Sequence, residues 1–221
     1  MKERQPTTAS FACLVLLGER TMTATQIIEG MRRSGIRYVW PRADSRLYET
    51  PRQLCELGWA EVVGDRSQGR GTRYRVTDAG RAALGAWLDE PGRPPSFEYE
   101  ALLKLYSSVR GSRDQTLAQL EVLREHVVRG YAVLMRISAQ LATSGMEQPA
   151  VSRMSALLFE YSRFELDMRA RWLAHAAEVI NAWPEGSPTD EEVAAIQAWL
   201  LERSKDVADA LGRFRAPVEV S

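Results

Sequence analysis

The order of the first elements constrains this chain most: three short helices are followed by a hairpin that carries arginines. Apolar residues at helical spacing predict helices over residues 10–19, 23–33 and 45–58. Residues 59–65 and 72–76 have strand character, and a glycine-rich turn joins them. This order is typical of a winged helix-turn-helix, in which the third helix enters the DNA major groove and the hairpin reaches the adjacent backbone. The sequence therefore predicts a winged-helix domain in its first part.

The third helix is expected to turn one face to the core and one to solvent. Leu47, Leu54 and Leu57 recur at the spacing of a buried face, and Gly58 suits the end of the helix. Pro51 leaves two interpretations open, because it either kinks the helix or marks a helix that starts again there. The spacing places a polar set on the outer face: Arg46, Glu49, Thr50, Arg52 and Gln53.

Basic residues concentrate in this part of a chain that is neutral overall. The sequence carries 29 Lys and Arg against 29 Asp and Glu, and all but three of the basic residues are arginine. Residues 32–75 hold ten arginines and five acids. Arginine binds phosphates and guanine edges in bidentate fashion, so this window points to a local anionic partner such as double-stranded DNA. A solvated basic surface without a partner is the alternative.

A segment rich in proline and glycine divides the chain. Proline or glycine fills four of the positions 91–95 and separates the first domain from a helical second part. We accordingly expect a winged-helix domain at 1–90, a linker at 91–96, a helical dimerisation domain at 97–185 and a last helix with its tail at 186–221. The predicted fold class is mainly α, with three helices and a two-stranded wing followed by an all-helical domain.

Two long helices of the second part carry heptad-like apolar stripes. On the first helix, an apolar residue recurs every seven positions, at Leu120, Val127, Leu134 and Leu141. On the second helix, large apolar side chains repeat at spacings of three and four. A hairpin of two such helices covers only part of this surface, so we expect a homodimer. The dimer contact is expected from the four residues above together with Met154, Tyr161, Phe164, Met168 and Trp172.

Signals for catalytic or metal chemistry are poor. The two histidines, His126 and His175, have no metal-binding spacing. The sequence also contains no Cys-x-x-Cys motif, in which two other residues separate a pair of cysteines. The glycine-rich turn at 64–71 resembles a phosphate loop, but a predicted strand rather than a helix follows it. We therefore predict no enzymatic activity, no cofactor and no metal site.

The sequence also favours a cytoplasmic protein without a membrane partner. The longest apolar run, residues 11–17, is too short to cross a membrane and is not followed by a signal-peptide cleavage site. The two cysteines, Cys13 and Cys55, lie in apolar helical surroundings, as buried thiols in a reducing compartment do.

Four motifs resemble those of PadR-type transcriptional regulators. The run SRLYETPRQLCELG, beginning at Ser45, looks like their recognition helix, and RYRVTDAGR, beginning at Arg73, is similar to their wing and the helix after it. LVLLG, beginning at Leu14, fits their first helix. FEYEALLK, beginning at Phe97, looks like the start of the helical domain of the larger members. The resemblance covers residues 10–185.

The resemblance implies a sequence-specific DNA-binding transcriptional regulator. It would act as a repressor, bind a near-palindromic operator as a homodimer and be released by a small-molecule effector. The alternative is a winged-helix module that makes protein–protein contacts without specific DNA binding. DNA contacts are expected from nine residues: Ser45, Arg46, Tyr48, Thr50, Arg52, Arg70, Arg73, Tyr74 and Arg75.

Four aromatic residues leave two uses open. They are expected either to line a pocket for a small aromatic effector or to pack in the core. The four residues are Trp87, Tyr99, Tyr106 and Trp172.

Overall fold

The computed structural model describes residues 5–18, 20–33, 36, 40, 47–64, 71–143, 149–184 and 188–215. Over these ranges the chain is mainly helical with one small antiparallel sheet, which confirms the predicted fold class. The chain divides into two compact units, Met1–Ala177 and Glu178–Ser221. Residues 91–98 are exposed and belong to neither helix nor strand. The domain boundaries expected from the sequence stay predictions.

In the first part of the Met1–Ala177 unit, the described elements include α1 (Thr8–Leu17), β1 (Met22–Thr23), α2 (Ala24–Arg33), α3 (Thr50–Glu56), β2 (Ala60–Val63), β3 (Arg73–Val76) and α4 (Asp78–Asp89). The sheet is antiparallel, with β3 between β1 and β2. The sequence does not indicate β1, because a strand of two residues shows no alternating pattern.

Helix α1 occupies the centre of this part. It is apolar on most sides and contacts α2, α3 and α4, and Ser10, Cys13, Leu14 and Leu17 are its buried residues. Among the described residues, the core that includes this helix has ten buried members: Cys13, Leu14, Leu17, Ile27, Ile28, Met31, Leu47, Leu54, Ala60 and Val76.

Reciprocal side-chain caps define the start of α2. The backbone N–H of Gln26 donates to Thr23 Oγ1 at 3.2 Å, and the N–H of Thr23 donates to Gln26 Oε1 at 2.9 Å. This arrangement satisfies two backbone donors that a helix start leaves without partners. Thr23 is therefore the residue that caps the start of α2.

Helix α3 is shorter than expected and begins at Thr50. Pro51 lies in its first turn, where a missing N–H costs no helical hydrogen bond. Its end is a Schellman motif, in which Gly58, with φ of 71°, donates to Cys55 O and Trp59 donates to Leu54 O. Among the described residues, Pro51 therefore starts a helix rather than kinking one.

The later start of α3 changes which residues face the core. Thr50, Pro51 and Leu54 are buried, and Thr50 is only 2% exposed. The prediction that Thr50 lies on the outer face is wrong. It assumed the phase of one helix running from Ser45, whereas the described helix starts five residues later.

The second part of this unit is helical. It contains α5 (Glu100–Ser107), a 3-10 helix (Ser108–Arg110), α6 (Arg113–Thr143) and α7 (Pro149–Ala182), of which α7 continues beyond the unit. Leu120, Val127 and Leu134 are buried, so the predicted stripe on α6 is confirmed over these residues. Their burial within the chain makes them inaccessible to a second copy. The side chain of Leu141 lies outside the described residues.

The apolar stripe of α7 that is expected at the dimer contact is not buried in the chain itself. Met154, Tyr161, Phe164, Met168 and Trp172 are all exposed. The described buried positions of α7 are instead Ser155, Ser162, Leu166, Leu173, Ala176 and Ile180.

Close contacts explain this rotation of α7. The Cα of Gly130 on α6 lies against the side chain of Leu166, so that a Cβ there would overlap it. At the next residue of each helix, the Tyr131 hydroxyl donates to Asp167 Oδ1 at 2.6 Å. Asp167 also binds Arg163 at 2.6 Å. A small residue and a polar bridge therefore fix which face of α7 meets α6, and hydrophobic periodicity reports neither.

The Glu178–Ser221 unit contains α8 (Asp190–Arg215). Thr189 and Glu192 cap its start reciprocally, with N–H to side-chain oxygen distances of 2.7 and 3.2 Å. All residues of α8 are described, and none of them is buried. In the described part of the chain, no helix is both long enough and apolar enough to cross a membrane.

Candidate nucleic-acid interface

The outer face of α3 carries one arginine between two acids. The side chain of Arg52 is 82% exposed, and its Nε lies 3.3 Å from Glu56 Oε1 one turn along. Glu49, just before α3, is also exposed. Pro51 and Leu54 hold the opposite face in the core, which fixes the backbone that carries Arg52. An exposed ion pair of this kind stabilises the fold little, so Arg52 is free to exchange Glu56 for another acceptor.

The residues expected at DNA from the third helix have different positions. Tyr48 is exposed just before α3, and Arg52 is exposed on it, so both are accessible to a ligand. Thr50 is buried and is not accessible. Ser45 and Arg46 lie outside the described residues.

The β2–β3 hairpin presents two arginines on one face. Arg73 and Arg75 are exposed and lie two positions apart on β3, which places them on the same side of the sheet. Tyr74 lies on the other side, half-buried and packed against the core. This position does not support the expected DNA contact of Tyr74. Arg70, at the turn of the hairpin, lies outside the described residues.

The charges of these two arginines are balanced differently. Across the hairpin, Arg75 donates from Nε and Nη2 to Glu61 Oε1 at 2.9 and 2.6 Å. Arg73 donates from Nη2 to the carbonyl oxygen of Thr21 at 3.0 Å. A carboxylate offsets a positive charge, whereas a neutral carbonyl only orients it. Arg73 therefore presents the stronger positive field to an approaching phosphate.

Thr77 joins the wing to both neighbouring helices. Its Oγ1 accepts from the N–H of Gly80 at 3.1 Å and donates to Gly58 O at 2.7 Å. Its N–H donates to Trp59 O at 3.1 Å. One residue thus connects the end of α3, the base of the wing and the start of α4, of which it is the N-cap. The connection sets the position of Arg73 and Arg75 relative to α3.

A polar cleft of about 490 Å³ opens beside the start of α4. Arg75 pairs there with Glu61, and Arg81 pairs with Asp78, each at 2.6 Å. Because the charges offset each other in pairs, the cleft offers little net field to an ionic ligand, and we assign it none. Its lining consists of Gly18, Glu61, Arg75, Val76, Thr77, Asp78 and Arg81.

Residues that are distant in sequence meet around Tyr99. Its hydroxyl lies 3.0 Å from His126 Nδ1 on α6, and the guanidinium carbon of Arg169 on α7 lies 5.5 Å from its ring centroid. Arg169 also binds Glu165. Partial burial raises the pKa of Tyr99, although the positive charge of Arg169 opposes this shift. Sequence analysis missed His126 and Arg169 in this role, because no spacing links positions on separate helices.

The four aromatic residues considered for an effector do not form one cluster. Trp87 stacks on Phe11 with a centroid separation of 4.8 Å, as a packing residue does. Tyr106 is 81% exposed, and Trp172 is exposed on α7. In the described part of the chain, no ring contact joins any two of the four. Of the four, Tyr99 alone has a neighbouring set of polar groups that a ligand could use.

Large apolar side chains form a continuous exposed stripe on α7, which we term the α7 apolar face. Its members recur at spacings of three and four residues and are each 41% to 60% exposed. An exposed apolar stripe of this kind on a helix is typical of an interaction surface. The α7 apolar face consists of Met154, Leu157, Tyr161, Phe164, Met168 and Trp172.

Sequence comparison gives a limited match. No family model matches the chain. Over 85 residues, the chain is 31% identical to the probable transcriptional regulator Rv1176c of Mycobacterium tuberculosis. The match covers 38% of this chain and 44% of that protein, so it spans less than half of the relative's length.

Structural comparison covers more of the chain. The PadR-like transcriptional regulator BC1756 of Bacillus cereus superposes with a TM-score of 0.65 at 14% identity, over 79% of this chain and 99% of the other. Bacillus subtilis PadR in complex with operator DNA gives a TM-score of 0.63 at 18% identity, with the same coverage. The same protein with p-coumaric acid gives 0.60 at 18% identity, over 82% of this chain and 100% of the other. The chain thus has the fold of the PadR-like transcriptional regulators, and the resemblance predicted from its motifs is confirmed at the level of the fold.

Proposed function

We propose that this protein is a sequence-specific DNA-binding transcriptional regulator that acts as a homodimer on a near-palindromic operator. One observation carries the proposal: exposed arginines lie both on α3, at Arg52, and on the wing, at Arg73. In a winged helix these are the elements that meet the major groove and the adjacent phosphates. The operator-bound structure of Bacillus subtilis PadR, which has the same fold, supports this assignment.

In this proposal, α3 enters the major groove and Arg52 leaves Glu56 for a base. A guanidinium that donates two N–H groups to guanine O6 and N7 gives about 1–3 kcal/mol of discrimination against other bases. Glu49 and Glu56 would then face the groove as acceptors, which suits the amino group of cytosine. Arg73 and Arg75 bind phosphates from the wing and set the register of α3 on the duplex.

The proposed dimer forms through the α7 apolar face. Its six large side chains are exposed to water in one copy, and a two-fold contact would cover both stripes at once. A two-fold dimer presents two copies of α3, which read half-sites about one DNA turn, ~34–36 Å, apart. This geometry is the reason for expecting a near-palindrome.

We further propose that the protein is a repressor and that a small aromatic acid releases it by binding at Tyr99. Arg169 would exchange Glu165 for the carboxylate of the ligand, and the Tyr99–His126 pair would bind its polar end. Bacillus subtilis PadR has been solved with p-coumaric acid, a ligand of this chemistry. Tyr99 lies between the wing domain and the long helices in sequence, so a ligand there could couple the two.

The alternative is a winged-helix module that binds a protein instead of DNA. Two DNA duplexes of equal length separate the proposals: the region upstream of the protein's own gene, and a scrambled version of it. We expect footprint protection of a near-palindrome on the first duplex, and an affinity that falls steeply with salt on both. Equal affinity for both duplexes contradicts sequence-specific binding. The absence of salt-dependent binding to either duplex contradicts DNA binding altogether and favours the protein module.

A further inference from the structure

Helix α8 has a heptad repeat, and none of its residues is buried among the described residues of the chain. Val193, Leu200, Val207 and Phe214 lie seven residues apart and are all exposed. Taken as the a positions of a heptad, they place Ile196, Arg203 and Ala210 at the d positions. A sustained repeat of 3.5 residues is the pattern by which a helix pairs with another helix.

The charges of α8 are unequally distributed along its length. Its first turn contains Asp190, Glu191 and Glu192, whereas its last turn contains Arg213 and Arg215. Two parallel copies would set acid beside acid and base beside base. Two antiparallel copies would set the acidic end of each against the basic end of the other, so the helix is complementary to itself in that orientation.

One antiparallel register satisfies both the heptad and the charges. It sets Val193 against Ala210 of a second copy, Val207 against Ile196, and Leu200 against Arg203. On the flank, the same register sets Glu192 against Arg213 of the second copy.

The arginine at a d position is compatible with this register. Arg203 Nη1 lies 2.9 Å from Asp206, and its guanidinium carbon lies 5.8 Å from the ring centroid of Trp199. Asp206 and Trp199 are both at g positions, beside the apolar stripe. The charged group of Arg203 is therefore drawn to the flank, while its aliphatic stem is left to cover Leu200 of the second copy.

The chemistry of α8 argues against a membrane surface as its occupant. Helices that lie on anionic membranes carry an excess of Lys and Arg on the polar face. The segment 190–215 has six acidic and four basic residues, so its net charge is negative.

We propose that α8 pairs antiparallel with α8 of a second copy of this chain. The contact is separate from the DNA-binding face and from the α7 apolar face, since it uses residues of neither. It is a second self-association surface, in addition to the α7 apolar face.

Spin labels on three positions of the same helical face test the pairing in the full-length protein. The positions are Glu202, near the two-fold axis of the register, and Ala195 and Asp209 on either side of it. Each is exposed and is changed to Cys in turn, in a background where Cys55 is replaced by Ala. Native Cys13 is fully buried and does not take the label. We expect the shortest inter-label distance at Glu202, because labels at Ala195 and Asp209 are offset along the axis by about 20 Å.

Adjacent leucines provide a matched control. Leu200 is 55% exposed and lies on the stripe, whereas Leu201 is 67% exposed and lies off it. Leu200→Glu should abolish the short distance between labels at Glu202, and Leu201→Glu should leave it in place. Equal distances at all three positions would indicate a parallel pair and overturn the proposal. The absence of any inter-label distance below the measurable limit, or identical behaviour of the two leucine variants, would overturn it as well.

DNA binding is measured separately, by footprinting, in the same samples. Leu200→Glu should leave the half-site footprint unchanged, since Arg52 and Arg73 are untouched. A protein that fails to bind DNA but shows the distance pattern contradicts the proposed function alone. A protein that binds DNA without the pattern contradicts the α8 pairing alone.

Discussion

The backbone of Gly80 on α4 passes so close to the carbonyl oxygen of Trp59 that no Cβ fits between them. The contact lies beside the Thr77 cap, and together they hold the wing, α3 and α4 at fixed positions. The positions of α3 and the wing therefore depend on the absence of a side chain at Gly80, which lies on α4.

Gly80→Ala should destabilise the protein by about 1–3 kcal/mol, because the added methyl group overlaps backbone that cannot move without shifting the wing. Gly85→Ala on the same helix is the control. It has open space around its Cα and should stabilise the fold by about 0.4–1 kcal/mol through the helix propensity of alanine. Chemical denaturation of both variants measures the difference. Equal stability of the two would show that the Trp59 contact is not close in solution.

Replacing the arginines of α3 and the wing should have different consequences. Arg52→Ala should lower affinity for the specific operator by about 1–3 kcal/mol and leave non-specific binding nearly unchanged. Arg73→Ala should weaken binding to all sequences and reduce the slope of log K against log salt by about one unit.

Arg129→Ala is the control for both arginine variants, since Arg129 also forms an exposed ion pair one turn away from its acid, Glu125. Titrations of specific and scrambled duplexes at several salt concentrations provide the measurement. If Arg52→Ala lowers the affinity for the specific and the scrambled duplex equally, Arg52 binds phosphates and not bases.

The α7 apolar face can be tested by a single charge at its centre. Phe164→Glu should weaken self-association by at least about 100-fold, or roughly 2.7 kcal/mol, because burying a carboxylate in an apolar contact is costly. Val128→Glu, on an exposed position of α6, should leave association unchanged. Sedimentation of the full-length proteins over a range of concentrations separates the two. A wild-type protein that is monomeric at micromolar concentration would disprove the proposed dimer.

The two cysteines should differ in reactivity. Burial, with a smaller contribution from Cys55, raises the pKa of Cys13 to about 12. Partial burial, followed by Glu56 and Glu61, also raises the pKa of Cys55. At pH 8 we expect slow alkylation of Cys55 alone, and alkylation of Cys13 only after unfolding. Mass spectrometry counts the modified thiols, and rapid labelling of both in the native protein would contradict the burial of Cys13.

Cys13 should also make stability depend on alkaline pH. Its folded-state pKa lies above the ordinary value of 9.0, so unfolding is favoured as the unfolded thiol ionises. The stabilising contribution is complete below pH 9 and is lost between pH 9 and about 12. The slope approaches about 1.4 kcal/mol per pH unit. Cys13→Ala should show a smaller slope over this range in the same denaturation series.

Local patterns in the sequence were enough to predict most elements of the first part. Thr23 and Thr77 cap helices as their positions indicate, and Gly58 ends α3 because its φ is positive. These features involve residues within five positions of one another, so the local sequence is enough to predict them. The short strand β1 escaped detection because only its pairing with β3 defines it.

The sequence by itself determined that the long helices are amphipathic, and it did not determine which side of α7 is buried. Large apolar residues usually face a core, but here Gly130 lets Leu166 approach, and the Tyr131–Asp167 hydrogen bond fixes the rotation. The meeting of Tyr99, His126 and Arg169 was likewise decided by tertiary structure. Periodicity records which residues share a face of one helix. The choice of the face that meets a neighbour depends on how closely two backbones can approach, and that is a property of the folded pair.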